Sequence, residues 1–362
     1  MIIKKNIKVA IAMSGGVDSS VAAALLVKQG YDCFGIFMHF WSEPSQKFQR
    51  ANRCCSLDSL TDARRVCHQL GIKLYVLNFD QLFKQKIVND FLKQYASGKT
   101  PNPCVRCNQY IKFGELLKKI KGMGADYLAT GHYIKKTKKQ ESKKAIYLLS
   151  AAKDQNKDQS YFLYNLKQQQ LKNLLFPVGD YTKSEVRKLA TKFKLPTAQR
   201  RESQEICFIQ EKNHNNFLKR HLKIMPGKII TTTGQTIGNH LGLPLYTIGQ
   251  RKGVGLGGGP YYVAGFDLKN NQLIVAANSR DKRLFYSQLL AKQVNWVAGK
   301  NPRLPLNCLA KVRYRQKELP VTVRAHGKNY LVKFKKTQRA VTPGQSVVFY
   351  LKKELLGGGI II

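Results

Sequence analysis

An apolar run, Lys8–Met13, ends at Ser14-Gly15-Gly16-Val17-Asp18-Ser19-Ser20 and passes into a helix-patterned stretch, Val21–Gln29, that Gly30 stops. A strand that turns through paired glycines into a helix narrows the fold sharply. The strand is short and continuously apolar, as a buried parallel strand must be. Paired glycines let the backbone curl tightly and aim several N–H groups at one point. The helix start adds its positive dipole end, and Ser19 and Ser20 add hydroxyl donors. Together these make a cradle for a phosphate. The Gly-Lys-Ser/Thr ending of a Walker A loop is missing, and so is the G-x-G-x-x-G spacing of a dinucleotide fingerprint. The plainer alternative is an ordinary strand-to-helix turn with Asp18 or Ser19 as its N-cap.

The same alternation recurs downstream. Cys33–Phe40 reads as a strand, Leu60–Leu70 as a helix stopped by Gly71, and Lys73–Leu77 as a third strand. Phe79–Tyr95 is a long amphipathic helix. A turn-rich stretch, Ser97–Cys107, leads into a helix reaching about Lys121, and Ala125–Thr130 is a strand ending at Gly131-His132. Repeated β-α-β units imply an α/β fold, a parallel sheet covered by helices on both faces. Ligands of such sheets bind at the carboxyl ends of the strands, where Ser14-Gly15-Gly16 and Thr130-Gly131-His132 both fall. Lys135–Lys144 reads as a charged hairpin tip, and Tyr161–Leu195 as helical, most clearly over Ser184–Phe193. Beyond about Glu211 glycine becomes frequent and short strands replace helices. Gly227–Val263 reads as a small β-rich module, within which Gly253–Gly259, lacking a βαβ context, is a flexible loop. From about Leu284, short runs such as Ala310–Tyr314, Pro320–Ala325 and Tyr330–Phe334 alternate as in a small antiparallel barrel. The expected division is 1–211, 212–280 and 281–362, without internal repeats.

Charge and cysteines bound the function. Lys+Arg number 62 against 21 Asp+Glu, a net charge of +41 spread along 362 residues rather than gathered in a tail. Such a field attracts polyanions, nucleic acid first. Lysines that simply solvate helix faces are the alternative source of the same excess. No apolar run approaches the ~18 residues that span a bilayer, and the strand beginning at Lys8 leaves no room for a secretion signal. A cytoplasmic location is therefore expected, with the eight cysteines as thiols rather than a disulfide framework. Cys104-x-x-Cys107 is a candidate redox pair or half of a zinc site, but a second C-x-x-C is absent, Cys54-Cys55 are adjacent, and Cys67-His68 fall on a helix. No metal site is expected. Cys107 sits beside Arg106 and just before a helix-like segment, and Cys207 follows Arg200-Arg201; both settings favour a thiolate. The apolar neighbours Ile206 and Phe208 leave open an inert, buried Cys207.

Beyond these features, the string Ser14–Ser20 resembles the pyrophosphate-binding loop of the ATP pyrophosphatases, which cleave ATP between the α and β phosphates and adenylate a substrate. Further strings follow in order: Thr100-Pro101-Asn102-Pro103, Cys107-Asn108, Ala129-Thr130-Gly131-His132-Tyr133, Lys157-Asp158-Gln159-Ser160-Tyr161-Phe162-Leu163, Phe176-Pro177-Val178-Gly179, Ile206-Cys207-Phe208-Ile209, Gly249-Gln250-Arg251-Lys252-Gly253, Arg313-Tyr314-Arg315-Gln316 and Thr342-Pro343-Gly344-Gln345. Together they resemble the tRNA-specific 2-thiouridylase family across Lys8 to Ile361.

That resemblance implies ATP-dependent thiolation of the wobble uridine in tRNAs of the Lys, Glu and Gln type, with Mg2+ and a sulfur-relay donor protein. It implies a nucleotide site at Ala12, Met13, Ser14, Gly15, Gly16, Val17, Asp18, Ser19, Met38 and Gly131. It makes Cys207 the persulfide carrier and Cys107 the catalytic thiol. It directs Asn102, Pro103, Cys104, His132, Lys157, Asp158, Gln159, Arg313, Tyr314 and Gln345 toward tRNA. Cys104 departs from the pattern, since many members carry Asp there. Two other readings share parts of this evidence: an adenylating synthetase acting on a small molecule, which needs neither Cys107 nor Cys207, and a non-catalytic RNA-binding protein.

Overall fold

The apolar run at the start of the chain forms β1 (Lys8–Met13), whose Val9, Ala10 and Ile11 are fully buried. The architecture comes from a computed structural model that describes residues 6–43, 56–141, 144–200, 206–209 and 214–362. Cys54, Cys55, Arg201 and the boundary expected at 211–212 lie outside those residues. On either side of β1, β2 (Asp32–His39), β3 (Leu74–Asn78) and β4 (Tyr127–Ala129) run parallel to it. The chain then leaves the sheet as a hairpin, β5 (Lys135–Glu141) and β6 (Lys144–Ser150), and returns for a short edge strand, β7 (Leu174–Leu175). The sheet order is β3-β2-β1-β4-β7. β1 therefore has neighbours reached by opposite crossovers, and the crevice at its carboxyl end is the switch point where α/β sheets bind ligands.

Helix Val17–Lys28 covers this sheet with a run of small residues; Val21, Ala22 and Ala23 are fully buried. Burying an Ile or Val side chain contributes about 1.5–3 kcal/mol, so β1 and this helix are among the best-anchored parts of the chain.

Four strands, β8 (Gly227–Thr231), β9 (Thr236–His240), β10 (Tyr262–Asp267) and β11 (Gln272–Ala276), form the central sheet in the order β10-β11-β8-β9. The carboxyl-terminal barrel contains β12 (Phe285–Trp296), β13 (Leu306–Lys311), β14 (Leu319–His326), β15 (Asn329–Arg339), β16 (Ser346–Leu351) and β17 (Glu354–Ile361). Its order is β12-β15-β14-β13-β16-β17, and β17 pairs back onto β12 to close it. Closure removes the free edges. The fold class is thus the expected one: an α/β parallel-sheet unit, a small β-rich unit and an antiparallel barrel.

Several expected elements differ. The stretch Lys135–Lys144 is mostly a strand rather than a tip, and residues 142–143 lie outside the described set. β6 pairs with β17 at Leu149↔Leu355, so this hairpin extends the barrel sheet. Tyr161–Leu195 is not one helical region: it holds a 3-10 turn at Ser160–Phe162, a short helix at Gln168–Leu171, β7, and the helix Lys183–Lys192. Tyr161 and Tyr164 are drawn into the core instead, where both hydroxyls bond Ser346 of the barrel. A helix, His214–His221, follows residue 211 because Phe217 and Leu218 are buried.

The turn-rich stretch also ends earlier than Cys107. Asn102 is an N-cap whose side chain accepts from the Val105 N–H, and Pro103 begins the helix. Pro fits a first helical position, where its missing N–H costs nothing.

Candidate active site

The loop after β1 is shaped by its neighbours. Gly15 has φ +68° and lies so close to the start of helix Leu57–Gln69 that a Cβ would sit 2.2 Å from the Ser59 carbonyl oxygen. Gly16 is the N-cap of helix Val17–Lys28 and supplies no side chain, so the first-turn N–H groups receive no side-chain cap. The first helical bond runs from Ser20 N–H to the Gly16 carbonyl, at 3.2 Å. The Ser19 and Ser20 hydroxyls, expected to face an anion, instead donate to the Gly16 carbonyl at 3.0 and 2.9 Å and are buried. What this turn can offer an anion is therefore its backbone amides, in a loop that the two serines brace. Ala12 and Met13, the last residues of β1, are buried beneath it, as is Met38 on β2.

The second sheet-end loop closes on the first. A Cβ on Gly131 would stand 2.7 Å from the Asp18 carbonyl carbon and the Ser19 nitrogen. Tyr133, two residues on, donates its hydroxyl to Asp18 Oδ1 at 2.6 Å. Lys183 Nζ bonds the same oxygen at 2.6 Å from the start of helix Lys183–Lys192, with its ammonium 5.8 Å from the Tyr133 ring. Sequence reasoning did not single out Tyr133 or Lys183. The capping pattern Thr182-x-x-Glu185 marks the helix start, but only the fold brings its first residue to Asp18.

His132 links this corner to the cysteine-bearing helix. Its Nδ1 lies 2.8 Å from the Thr130 hydroxyl and its ring 5.5 Å from that of Phe113, which follows Cys107 along the helical stretch 103–122. Burial, and next the Lys112 ammonium, hold its pKa well below the ordinary histidine value. The imidazole is therefore neutral at pH 7.

The thiols occupy different settings. Cys104 is exposed at the second helical position, while Cys107 is buried a turn further in. The thiol nearest the helix start is thus Cys104, not the expected Cys107. Cys207 is half-buried, and its neighbour Phe208 packs on Phe83 and Phe91 of the helical stretch 80–96. The helix Pro103–Cys107 packs on the same stretch at Lys84–Val88. Both cysteine segments therefore pack against one helical stretch. Arg200, expected to serve Cys207, has its guanidinium on the Asp62 carboxylate and, at 2.9 Å, on the Ser59 hydroxyl. It braces the helix start against which Gly15 packs. Burial pushes Cys33 and Cys308 up to about 12 and Cys67 to about 11, with Asp32 adding to the effect at Cys33.

Several of the residues expected to meet tRNA hold the molecule together. Gln159 is bonded both ways to the Tyr133 backbone. The buried Asp158 carboxylate accepts from Ala152 N–H, Ser160 N–H and the Ser160 hydroxyl, so it shapes its own loop. Lys157 is half-buried beside it. Arg313 is exposed, yet its Nη2 donates to the Ile248 and Ala340 carbonyls, each at 3.0 Å. The Tyr314 ring packs 4.4 Å from that of Phe162, whose carbonyl accepts from the Asn108 side chain at 3.2 Å. Burial raises the Tyr314 phenol, and the nearby Asp158 and Cys104 add to it against Arg315. Gln345 donates to the Thr100 carbonyl at 3.0 Å, just before Asn102 and Pro103. Among the described residues, no group of three or more His, Cys, Asp or Glu is arranged to hold a metal, and no helix is long and apolar enough to cross a membrane.

Three family models match successive parts of the chain. Residues 7–211 match the family described as tRNA methyl transferase HUP domain, 215–277 the tRNA methyl transferase PRC-barrel domain, and 286–361 the aminomethyltransferase beta-barrel domain. The chain is similar to the tRNA-specific 2-thiouridylase of Carboxydothermus hydrogenoformans, 46% identical over 359 residues that cover 98% of this chain and 97% of that protein. The tRNA-specific 2-thiouridylase of Clostridium beijerinckii is 43% identical over 359 residues, 98% of each chain. Among solved structures, the U34-tRNA thiolase NcsA from Methanococcus maripaludis aligns over 61% of this chain and 65% of that one, at 21% identity and a TM-score of 0.36, too loose a likeness to weigh further.

Proposed function

This chain belongs to the tRNA-specific 2-thiouridylase family, and from that premise we propose how its residues convert the wobble uridine of tRNA to 2-thiouridine. The domain descriptions speak of methyl transfer, but the near-full-length relatives are thiouridylases. The chemistry begins with a poor leaving group, the C2 oxygen of uracil. That oxygen attacks the α-phosphorus of ATP, and pyrophosphate departs toward the backbone amides of Gly16–Ser19. Lys183, held by Asp18, adds positive charge at the same point. Adenine lies toward Met38 and Gly131.

Asp18 Oδ1 is occupied by Tyr133 and Lys183, and one further carboxylate oxygen with substrate phosphates suits Mg2+, which seldom takes an all-protein cage. Bound there, Mg2+ would supply charge neutralisation on the phosphates.

Sulfur arrives on Cys207 as a persulfide, delivered by a donor protein. Its terminal sulfur attacks the activated C2. Cys107 thiolate then attacks Cys207 Sγ, the inner S–S bond breaks, and collapse of the adduct expels AMP and leaves C=S. The balance is one disulfide, Cys107–Cys207, for each 2-thiouridine. Neutral His132 and the 157–159 loop border the place where the base would enter. We read 1–211 as the catalytic unit, 212–280 as a connecting unit and 281–362 as a tRNA-binding barrel, working in the cytoplasm on Lys-, Glu- and Gln-type tRNAs.

The observation that carries this reading is the two-sided contact of the Gly131–His132–Tyr133 loop. It touches the glycine loop through Asp18 and the cysteine helix through Phe113. Incubation with ATP, Mg2+, a sulfide source and unmodified tRNA, followed by nucleoside analysis, tests it. The expected result is 2-thiouridine with pyrophosphate released only when tRNA is present. Pyrophosphate release without tRNA, driven by a small acceptor, would favour the synthetase instead.

A further inference from the structure

Resting on that reading, we infer that Cys104 is a resolving thiol that moves the product disulfide off Cys207. Thiolation leaves Cys107 and Cys207 joined, and Cys207 must be freed before it can accept another sulfur. Cys107 is 6% exposed and Cys207 is half-buried, so a reductant in solution reaches their disulfide less readily than it reaches Cys104, which is exposed. The two lie at i and i+3 of helix Pro103–Cys107. Side chains at that spacing share a face, with Cβ atoms about 5–6 Å apart. A disulfide needs roughly 3.5–4.5 Å, so the turn must tighten by about 1–2 Å.

This turn can yield. Pro103 contributes no N–H, and the two bonds that tie the turn to Asn102 are long, Val105 N–H to its side chain at 3.3 Å and Arg106 N–H to its carbonyl at 3.4 Å. Cys104 also lies near Tyr314.

The step is a thiol–disulfide exchange. Cys104 thiolate attacks Cys107 Sγ, the Cys107–Cys207 bond breaks, and Cys207 leaves as thiolate. No net oxidation occurs. The new Cys104–Cys107 disulfide is then reduced at exposed Cys104 by an external dithiol, which supplies two electrons and two protons and is itself oxidised to a disulfide.

The experiment uses the full-length protein loaded with persulfide, one round of thiolation without reductant, an acid quench, and alkylation of remaining thiols. Trypsin separates the three cysteines into peptides 100–106, 107–112 and 202–212, so linkages are read directly by mass spectrometry. Per 2-thiouridine formed, the 100–106/107–112 linkage should exceed the 107–112/202–212 linkage about tenfold, with Cys207 recovered alkylated. In Cys104→Ser, whatever 2-thiouridine forms should leave the 107–112/202–212 linkage instead. A parent protein that makes 2-thiouridine but keeps Cys107 joined to Cys207 overturns the relay alone. A parent that makes no 2-thiouridine overturns the proposed function, and the relay with it.

Discussion

Gly15 and Gly131 close the glycine loop from opposite sides, and neither position has room for a methyl group. At Gly131 the obstacle is backbone of the helix start, 2.7 Å away, so it cannot swing aside. Gly131→Ala should displace the first-turn amides and weaken ATP binding by at least about tenfold, with roughly 1–3 kcal/mol of lost stability. Isothermal titration with ATP checks this, and an unchanged affinity would remove the loop from the nucleotide site. The cysteines offer a second residue-scale outcome. With pKa values near 11–12, Cys33, Cys67 and Cys308 expose about one thiolate in a thousand or fewer at pH 8. Iodoacetamide should modify exposed Cys104 well before these three, which react only after unfolding. Early labelling of Cys67 would contradict the packing described.

Between elements, the link that matters most joins two helix starts. Asp18 on helix Val17–Lys28 meets Lys183 on helix Lys183–Lys192, where the ammonium side chain is 11% exposed. Asp18→Asn leaves that ammonium without its carboxylate, and should cost roughly 1.5–3 kcal/mol in urea unfolding. A double-mutant cycle with Lys183→Met should show strong coupling; additive effects would mean that the helices dock independently. The Thr130–Tyr133 loop carries a pH response. His132 binds its proton less readily folded than unfolded, so the unfolded chain gains protons first as the pH drops below about 6.5. The stability present above that pH is lost below it, by up to about 1.4 kcal/mol per pH unit. His132→Gln should flatten the fall in melting temperature between pH 7 and 5. A parallel slope in parent and variant would assign the acid sensitivity to other groups, His214 and His240 among them.

At the scale of the molecule, the barrel serves as scaffold as well as surface. β6 pairs with β17, Gln345 holds the Thr100 carbonyl, and Arg313 bridges the Ile248 and Ala340 carbonyls. The loop that precedes Cys104 and Cys107 is thus positioned from the far end of the chain. Gln345→Ala should lower the thiolation rate through misplacement of that loop, visible as a raised KM for tRNA; an unchanged KM would make the contact incidental. The net charge of +41 acts over the same scale. Affinity for tRNA should fall by about a hundredfold or more between 50 and 200 mM salt, measured by filter binding. A flat response would confine the excess lysines to solvation.

The sequence by itself determined the parallel sheet, the glycine turn and the barrel, because each rests on local patterning: an apolar run of strand length, paired glycines before a helix, short alternating strands. It also brought Cys107 and Cys207 forward as residues, through the strings that surround them. Only the tertiary structure decided that Ser19 and Ser20 brace the loop, that Lys183 and Tyr133 share the Asp18 carboxylate, and that Asp158, Arg313 and Gln345 are structural ties. It also decided that, of Cys104 and Cys107, the first is exposed and the second buried. The helical pattern of Tyr161–Leu195 failed for the same reason, since burial of Tyr161 and Tyr164 against Ser346 outweighs local propensity. Partners that lie 100 or more residues apart leave no periodic trace along the chain; they are chosen by which surfaces the packed core leaves in contact.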